Sequence, residues 1–480
     1  MTAWIVFNIY RYTVGDKYKY FIMAAIEIGN SRCCYSFGFC GLRRGPNNVY
    51  TNNGWRESDK RHSGKIRLAV LFDEKKVFHS FGFHAEDKYA ELSVNNEHSN
   101  WHFFREFKTV WHGKRIHSDI EINDTRGKAM KAVDVFGAII GYLKKDLFRH
   151  VFYSSSQITE EDLTWILSVP DSLPFDAHLI IKEAAYKAGI YEDQLSETTE
   201  SVAALSFCLR MPKSEMLETC GAETNNQEST FVAINAGHDH THISVYKQNQ
   251  DNGLMELHNS SEGPWGGACV EEELYLMLTT IIGSSIHQIL LDCDKFDVLD
   301  FQRTLTKNWM GTTFNEENVT IEVPVSIFKK CNDFMKQNIQ EATKCSPYSK
   351  KVYWIHNRLR IHRGFFKNFF TPCTYKIAAH VQKIISNPGI VERSTVILLV
   401  GELPESPIFQ DIIKKALPNA KFLIPLGPSK AVCRGAVLFG YKPIPVASYF
   451  SKNARATADE SITEALANTF HCGISPLLFH

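Results

Sequence analysis

The sequence lacks the features that would assign a nucleic-acid or membrane function at once. Lys plus Arg and Asp plus Glu both total 53 among 480 residues, so the chain carries no net charge. It therefore has no overall field that would attract nucleic acid or an anionic membrane. No apolar run approaches the roughly 20 residues that span a bilayer. We therefore expect neither nucleic acid nor a membrane as a partner.

The cysteines lack a recognisable pattern as well. The 12 cysteines contain no Cys-x-x-Cys pair and no Cys/His zinc spacing, which predicts no metal site. Scattered thiols in a chain of this size fit a reducing compartment. The first 20 residues are interrupted by Arg11, Asp16 and Lys17 and lack a small-residue cleavage site, so they are not typical of a signal peptide. The sequence predicts a cytoplasmic protein.

The sequence does have two stretches with the same layout. Residues 231–246 begin with a short apolar run, pass through a small-residue turn at 235–237 and end in an alternating run. Residues 21–39 likewise join an apolar strand at 22–28 to a second strand at 33–39 through a turn at 29–31. Short runs bounded by turn residues predict β-hairpins. One hairpin opens each half of the chain, which indicates a duplicated domain with a ligand between the turns.

Strand and helix patterns alternate in both halves, which predicts an α/β fold with a mixed sheet in each half. The predicted strands outside the hairpins are 66–72, 77–85 (with a turn), 163–170, 394–400 and 421–424. The predicted helices are 101–111, 131–148, 177–188, 200–209, 271–282, 375–385, 408–417 and 431–439. Residues 211–228 are polar and form the expected boundary between the halves. Residues 296–375 are rich in lysine and show no clear pattern.

Several of these stretches, taken in order, resemble one protein family. They include AAIEIGNSRCCYSF, WILSVPDSLPFDAHLIIKEAAYKAGI, FVAINAGHDHTHISVY, EGPWGGACVEEEL and ILLVGELPESPIFQDIIKKAL. Over residues 20–445 the chain looks like the divergent 12A/12B branch of the 70-kDa heat-shock protein family. The resemblance implies a nucleotide-binding domain with the actin-like ATPase fold, which is a duplicated ribonuclease H-like fold with two lobes around a central cleft.

The resemblance also implies a domain organisation. Lobe I would span residues 20–224 and carry the first hairpin, and lobe II would span 225–430 with the second hairpin and a helical insertion. Residues 431–447 would form a closing helix that returns towards lobe I. Residues 448–480 match nothing in the family, and we expect a disordered tail there. The resemblance further implies that the family's β-rich region, which follows the nucleotide-binding domain, is absent here.

The resemblance maps the family's nucleotide site onto particular residues of this sequence. The implied cofactor-binding residues are Glu27, Gly29, Asn30, Ser31, Asn235, Gly237, His238, Asp239, Gly266, Gly267, Gly401 and Glu402. The family's catalytic lysine and glutamate correspond to Lys108 and Glu200. Its adenine clamp falls on Gln302 and Leu305. The implied cofactor is ATP or ADP with Mg²⁺.

The second turn departs from the family pattern, Asp-x-Gly-Gly-Gly-Thr-x-Asp. Asn235 and His242 replace its two carboxylates, and His238 and Asp239 replace two of its glycines. Mg²⁺ demands near-ideal octahedral geometry, and glycine lets backbone amides approach a phosphate closely. An aspartate 4 Å from a phosphate charge costs roughly 4 kcal/mol at an effective dielectric near 20. These departures predict weak or no ATP binding and no hydrolysis.

Simpler interpretations of the individual residues stay open. Lys108 fits an exposed helix lysine, and Glu200 fits a charge that stabilises a helix N-terminus. Gly266 and Gly267 fit an ordinary strand-to-helix turn.

The histidines of the second hairpin allow a different site. His238, His240 and His242 alternate, so on a strand they would share one face and could hold Zn²⁺ with an open position. Neighbouring same-face positions are about 7 Å apart, which is long for three nitrogens on one ion. The other interpretation is drift at a turn that no longer binds phosphate.

Together these observations predict a non-hydrolysing interaction module of the heat-shock-like branch, with an unknown protein partner. The alternatives are a functional, ATP-hydrolysing chaperone-like protein and a metal-binding protein.

Overall fold

The computed structural model describes residues 22–29, 31–39, 49–52, 64–105, 107, 119–152, 158–218, 229–311, 317–387, 390 and 395–448. In these residues the chain is a mixed α/β protein with several sheets. No helix in this part of the chain is both long and apolar enough to cross a membrane.

The strands lie in both halves of the chain. They are β1 (Ile22–Ile28), β2 (Arg32–Phe39), β3 (Val49–Thr51), β4 (Ile66–Arg67), β5 (Ala69–Phe72), β6 (Phe78–Phe81), β7 (His102–Arg105), β8 (Glu121–Asn123), β9 (Ala129–Lys131), β10 (Leu163–Val169), β11 (Leu195–Thr199), β12 (Met216–Glu218), β13 (Thr230–Ala236), β14 (Thr241–Gln248), β15 (Leu254–Gly263), β16 (Asn318–Glu322), β17 (Val352–Ile355), β18 (Arg358–His362), β19 (Thr395–Val400), β20 (Lys421–Pro425) and β21 (Val446–Ser448).

The helices alternate with these strands. They are α1 (Phe83–Val94), α2 (Ala132–Leu147), α3 (Phe175–Lys187), α4 (Glu200–Arg210), α5 (Gly267–Ile282), α6 (Ile286–Leu291), α7 (Lys295–Gly311), α8 (Val325–Met335), α9 (Ile339–Cys345), α10 (Arg363–Phe366), α11 (Thr371–Ile385), α12 (Pro407–Ala416) and α13 (Ala431–Tyr441). Short 3₁₀ turns lie at His98–Asn100, Glu160–Asp162, Glu192–Gln194, Lys213–Glu215, Lys367–Phe370, Leu403–Glu405 and Pro428–Lys430, and a π-helical turn at Phe148–Phe152.

Two sheets repeat the same strand order. In the first sheet the order is β11-β10-β1-β2-β3, with β4 also paired to β2. In the second sheet the order is β12-β20-β19-β13-β14-β15-β21. In each sheet the first hairpin strand pairs antiparallel with its hairpin partner and parallel with a later strand on its other side. The hairpin turns therefore lie at the carboxyl ends of parallel strands, where open α/β sheets bind ligands.

Two helices lie between these sheets. Helix α13 contacts β1, β2 and β10 of the first sheet, while α4 contacts β13 of the second sheet. The two helices pack on each other, and their buried apolar side chains form one core cluster with residues of both sheets. This packing fixes the distance between the two hairpins because each hairpin begins on a strand that these helices cover.

Most of the strongly patterned predictions are confirmed. Both hairpins form, with Ile28 opposite Cys33 and Ala236 opposite Thr241 at the turn ends of the ladders. Helix α2 and strand β10 lie within two residues of their predicted bounds. Helix α5 begins four residues earlier than predicted, directly after Gly266.

The prediction of a helix at residues 101–111 is wrong at its start. Residues His102–Arg105 form strand β7, which pairs antiparallel with β5 along its whole length. Phe103 and Phe104 are both buried, one on each face, and a strand places successive side chains on opposite faces. Pairing with β5 determines the conformation of these residues, and the helix-like spacing of their aromatic side chains does not.

Other parts of the sequence pattern are divided differently by the structure. The predicted strand 66–72 is two strands, because β4 joins the first sheet and β5 pairs with β6 and β7. The predicted strand and turn at 77–85 end at Phe81, and helix α1 begins at Phe83. The unpatterned stretch 296–375 contains helices α7 to α10 and a sheet with the strand order β16-β18-β17.

Candidate functional site

A small cavity lies between the two hairpin turns. It has a volume of about 50 Å³ and is lined by residues of both turns and by residues from the ends of β10 and β19. We call it the hairpin cavity. The predicted site residues that line it are Glu27, Gly29, Ser31, Glu200, Asn235, Gly237, His238, Asp239, Gly401 and Glu402. Residues far apart in the sequence are thus brought to one place, as the shared strand order requires.

The two turns have the same internal hydrogen bond. The amide of Gly29 donates to the carbonyl of Arg32 at 2.8 Å, and the amide of Gly237 donates to the carbonyl of His240 at 2.9 Å. Each glycine amide is therefore already used within its own turn. The turns also contact each other, because Ser31 hydrogen-bonds to Asp239.

In the first turn the carboxylate Glu27 is neutralised by a lysine. Lys65, which directly precedes β4, forms an ion pair with Glu27, and both side chains are buried. Burial by itself would lower the pKa of Lys65, but the charges of Glu27 and Glu402 outweigh it and raise the pKa. Lys65 is therefore a permanent positive charge in the hairpin cavity.

A second ion pair links the first hairpin to the turn after β19. Arg32 Nε lies 3.0 Å from Glu402 Oε2, with both side chains almost fully buried. Gly401, beside Glu402, has a φ of +101°, and a Cβ there would lie 2.3 Å from the carbonyl oxygen of Ala236. Glycine is required at this position because the turn after β19 lies directly against the end of β13.

The end of β13 is joined to the start of α4 by a buried hydrogen bond. Asn235 Nδ2 donates to Glu200 Oε2 at 2.7 Å, and both residues are buried. Glu200 is the first residue of α4, where a carboxylate also interacts favourably with the helix dipole. Both interpretations of Glu200 are thus compatible with its position: it lies at a helix N-terminus and lines the hairpin cavity.

In the second turn His238 lies between two carboxylates. Its Nδ1 is 2.8 Å from Asp239 Oδ1, and its Nε2 is 3.3 Å from Glu271 Oε1 on α5. Burial would lower the pKa of His238, but the charges and hydrogen bonds of Glu271 and Asp239 raise it to about 10. The ring is therefore an imidazolium at neutral pH.

Glu271 is held by further donors on α7. Thr306 Oγ1 and Trp309 Nε1 donate to the same Oε1 atom at 2.8 and 2.9 Å. Burial acts to raise the pKa of Glu271, but His238 and these donors lower it to about 2. A network of charged hydrogen bonds thus links the second turn to α5 and α7.

The backbone amides at the N-terminus of α5 are also hydrogen-bonded to the second turn. The amides of Gly267 and Ala268 donate to the carbonyls of Gly237 and His238 at 3.2 and 2.7 Å. Gly266 and Gly267 do not line the hairpin cavity. Both lie in the turn from β15 into α5, where a Cβ on Gly266 would lie 2.1 Å from the carbonyl oxygen of His238 and a Cβ on Gly267 would lie 2.3 Å from the Trp309 ring.

A separate cluster of charges spans from α1 to α7. Glu86 is fully buried, and Arg303 Nη2 lies 2.7 Å from it and 3.1 Å from Asp87. Arg67 and Arg105 approach the same carboxylate at 4.0 and 3.8 Å. Although burial opposes its charged form, these arginines lower the pKa of Glu86.

The structure does not bring the three histidines of the second hairpin to one strand face. His238 and His240 precede β14, which begins at Thr241, and His242 lies within it. His242 Nδ1 is 3.3 Å from Glu262 Oε2, while His238 is held by Glu271 and Asp239. In the described residues these imidazoles do not form a group with metal-ligand spacing. The expected shared strand face does not form, because β14 begins only at Thr241.

Some predicted residues fall elsewhere. Asn30 and Lys108 lie outside the described residues. Leu305, at the second position of the expected adenine clamp, is buried in the core of the second half. Gln302 is on the same helix, α7.

Three residues that the sequence pattern does not indicate contact the predicted site residues. Lys65, Arg32 and Glu271 each form an ion pair with a predicted site residue. The sequence carries no local signal for Lys65 or Glu271, because their partners are distant in the chain. Arg32 does follow the first turn directly, and its position could have raised the question of an acidic partner.

The ion pairs of His238 should make the unfolding free energy depend on pH. Because the pKa of His238 is raised from its ordinary value near 6.5, its ion pairs stabilise the fold fully below about pH 6.5 and lose strength up to about pH 10. At about 1.4 kcal/mol per pKa unit, the change amounts to a few kcal/mol. We expect the difference in unfolding free energy between the unmodified protein and His238→Gln to shrink over this range, as measured by urea unfolding.

The matched control is His287→Gln, because His287 pairs with Glu272 at the same 3.3 Å on the exposed surface. Exposed ion pairs contribute little to stability. An equal pH dependence in both variants would contradict a special role for His238.

The fold and the site define a mixed α/β protein with a charged cavity between two matching hairpin turns. A comparison with models of known protein families gives no match. The chain is 23% identical to human "Heat shock 70 kDa protein 12A" over an alignment 486 residues long. The alignment covers 90% of this chain and 71% of that protein. The mouse protein of the same name matches equally. Human "Heat shock 70 kDa protein 12B" is 22% identical over 488 residues, 88% of this chain and 69% of the relative. The predicted resemblance to the 12A/12B branch of the 70-kDa heat-shock proteins is confirmed.

Proposed function

We propose that this chain has the two-lobed actin-like fold and works as a non-hydrolysing interaction module with weak or no ATP binding. The fold part of the proposal rests on the repeated strand order of the two sheets and on the matching hydrogen bonds in their turns. It also rests on the similarity to the 12A/12B branch over most of the chain. Each sheet with its hairpin would be the centre of one lobe.

The hydrogen bond between Asn235 and Glu200 carries the functional part of the proposal. A carboxylate at position 235 would face Glu200 at hydrogen-bond distance, and two such carboxylates are stable only with a shared proton or a cation between them. The amide of Asn235 supplies its own donor at 2.7 Å. The hydrogen-bonding needs of Asn235 and Glu200 are therefore met without Mg²⁺, so this pair does not require the ion.

The remaining charges in the hairpin cavity support the same conclusion. Glu27 is paired with Lys65, Arg32 with Glu402, and His238 with Asp239 and Glu271. A phosphate group would have to break at least one of these buried pairs, and an uncompensated buried charge costs several kcal/mol.

The small volume of the hairpin cavity also supports weak or no ATP binding. Small-molecule sites usually enclose about 300–1,000 Å³, and the hairpin cavity has about 50 Å³. The side chains of His238 and Asp239 stand where the family pattern has glycine. As arranged, these residues do not fit Mg-ATP, and we assign no hydrolytic step to them.

We also propose that the chain binds a protein partner, works in the cytoplasm and takes neither a nucleic acid nor a membrane as ligand. The alternative function, an ATP-hydrolysing chaperone-like protein, is distinguished by nucleotide binding.

The test of weak binding is the thermal midpoint, Tm, with nucleotide. A ligand at a hundred times its Kd adds about 2.7 kcal/mol to the folded state. Each kcal/mol raises Tm by roughly 2 °C or less in a chain of this size. We expect millimolar Mg-ATP to raise Tm by less than about 1 °C, with ADP no better, because His238 and Asp239 fill the second turn.

The matched variant replaces both His238 and Asp239 with glycine and should increase the shift by removing bulk and charge together. The shift is measured within each variant, because loss of the His238–Glu271 pair lowers the starting Tm. A rise of several degrees in the unmodified protein would contradict the proposal and favour the nucleotide-binding alternative.

A further inference from the structure

Behind the hairpin cavity, two thiols and a carboxylate meet in the core. Cys34 Sγ lies 3.5 Å from Glu27 Oε2, and one ligand atom from each of Glu27, Cys34 and Cys433 lies within 4.8 Å of the others. All three side chains are buried. They come from β1, β2 and α13, so the cluster joins the first hairpin to a helix about 400 residues further along the chain. We propose that these residues form a binding site for a thiophilic divalent cation such as Zn²⁺.

The distances fit a tetrahedral ion. Zinc lies about 2.3 Å from thiolate sulfur and about 2.0–2.2 Å from carboxylate oxygen, so the sulfur–oxygen edge of a zinc tetrahedron is about 3.5 Å. The observed separation between Cys34 Sγ and Glu27 Oε2 is 3.5 Å. Binding would therefore need little movement of these two ligands.

The two oxygens of Glu27 are already divided between different partners. Oε1 faces Lys65, while Oε2 faces the thiol of Cys34. Carboxylates that bind metal ions are commonly held by an outer hydrogen-bond partner that fixes their orientation. Lys65 would hold Glu27 in this way, with the oxygen towards the sulfurs left for the ion.

The charges also balance. Lys65 already neutralises Glu27, and the two positive charges of the ion would neutralise two thiolates, since thiols that coordinate a metal are deprotonated. The site would then carry no net charge, which is what a buried position needs.

The ligand set selects the kind of ion. Thiolates favour Zn²⁺, whereas Mg²⁺ prefers oxygen ligands. The proposed site is therefore different from a magnesium–nucleotide site, and it does not depend on whether nucleotide binds in front of it. Glu27 lines the hairpin cavity, so an ion can enter from there and a water can complete four ligands.

The test measures zinc retained by the full chain. Protein with reduced thiols is incubated with Zn²⁺, desalted and analysed by elemental mass spectrometry. We expect about one ion per chain, with excess Mg²⁺ unable to displace it. Cys34→Ala and Cys433→Ala should each lower the retained zinc at least tenfold. The matched control is Cys208→Ala, another buried free cysteine, outside the cluster, which should retain it.

A second measurement covers the case in which the cysteine variants fail to fold. The zinc-edge X-ray absorption of the loaded, unmodified protein should show two sulfur neighbours at about 2.3 Å. Cys345 is exposed, so the spectrum is also taken on Cys345→Ala to remove its contribution. No retained zinc, zinc retained equally by both cluster variants, or a spectrum with only oxygen and nitrogen neighbours would each overturn the proposal.

Discussion

Purified protein in millimolar Mg-ATP is expected to release no phosphate above a buffer blank. In phosphoryl transfer the protein positions the metal, the phosphates and the water rather than forming covalent bonds. Losing one group that stabilises the transition state typically costs about 10²–10³ in rate. Here two carboxylates of the family pattern are replaced, by Asn235 and His242. The remaining Glu200 is held by Asn235.

Residues that act together do not keep part of the activity when their partners are gone. For this reason the presence of Glu200, or of Lys108, does not predict residual turnover. The measurement is phosphate release at a high protein concentration, compared with Glu200→Gln and Lys108→Ala prepared in the same way. Turnover that persists in both variants comes from a contaminant. Turnover that disappears in either variant would refute the non-hydrolysing function.

The parts of the fold that the sequence predicted best are those that local rules determine. The hairpins were found because short β-branched runs are bounded by small turn residues, and α2 because its apolar residues recur at helical spacing. Strand β7 was missed because four residues carry too little periodicity, and pairing with β5 determines their conformation. Helix α1 was missed because Gly82 in front of it resembles the turn of a hairpin.

In the candidate site, too, the sequence predicts the features that local residues determine and misses those that tertiary contacts determine. The turn residues could be placed by the spacing of the family motif, and ten of the sixteen implied residues line one cavity. What they contact could not be predicted. Lys65 reaches Glu27 from the position directly before β4, and Glu271 reaches His238 from a helix that begins beyond β15. The sequence shows Asp239 as a negative charge beside His238. In the structure the two side chains pair, and Glu271, a tertiary contact that the sequence does not indicate, helps to keep His238 charged.

The substitution Gly435→Ala is expected to destabilise the protein severely. Gly435 lies in α13 at its contact with α4, and a Cβ added there would lie 1.8 Å from the carbonyl oxygen of Ala203 and 2.6 Å from its carbonyl carbon. These atoms are backbone, so no side chain can rotate away and the two helices must separate. Overpacking a close-packed core typically costs 1–3 kcal/mol, and this rigid contact places the expected loss at about 3 kcal/mol or more.

The effect should reach the hairpin cavity as well as the stability, because α4 begins with Glu200 and α13 lies against β1 and β2. Urea unfolding gives the loss directly. The matched control is Gly141→Ala, the same change in the middle of α2, where the nearest atom would be Ala188 Cβ at an ordinary 3.8 Å. That variant should gain up to about 1 kcal/mol, since alanine favours helix over glycine. If Gly435→Ala is as stable as Gly141→Ala, then α4 and α13 do not pack as closely as the structure has them, and the distance between the two hairpins is set by something else.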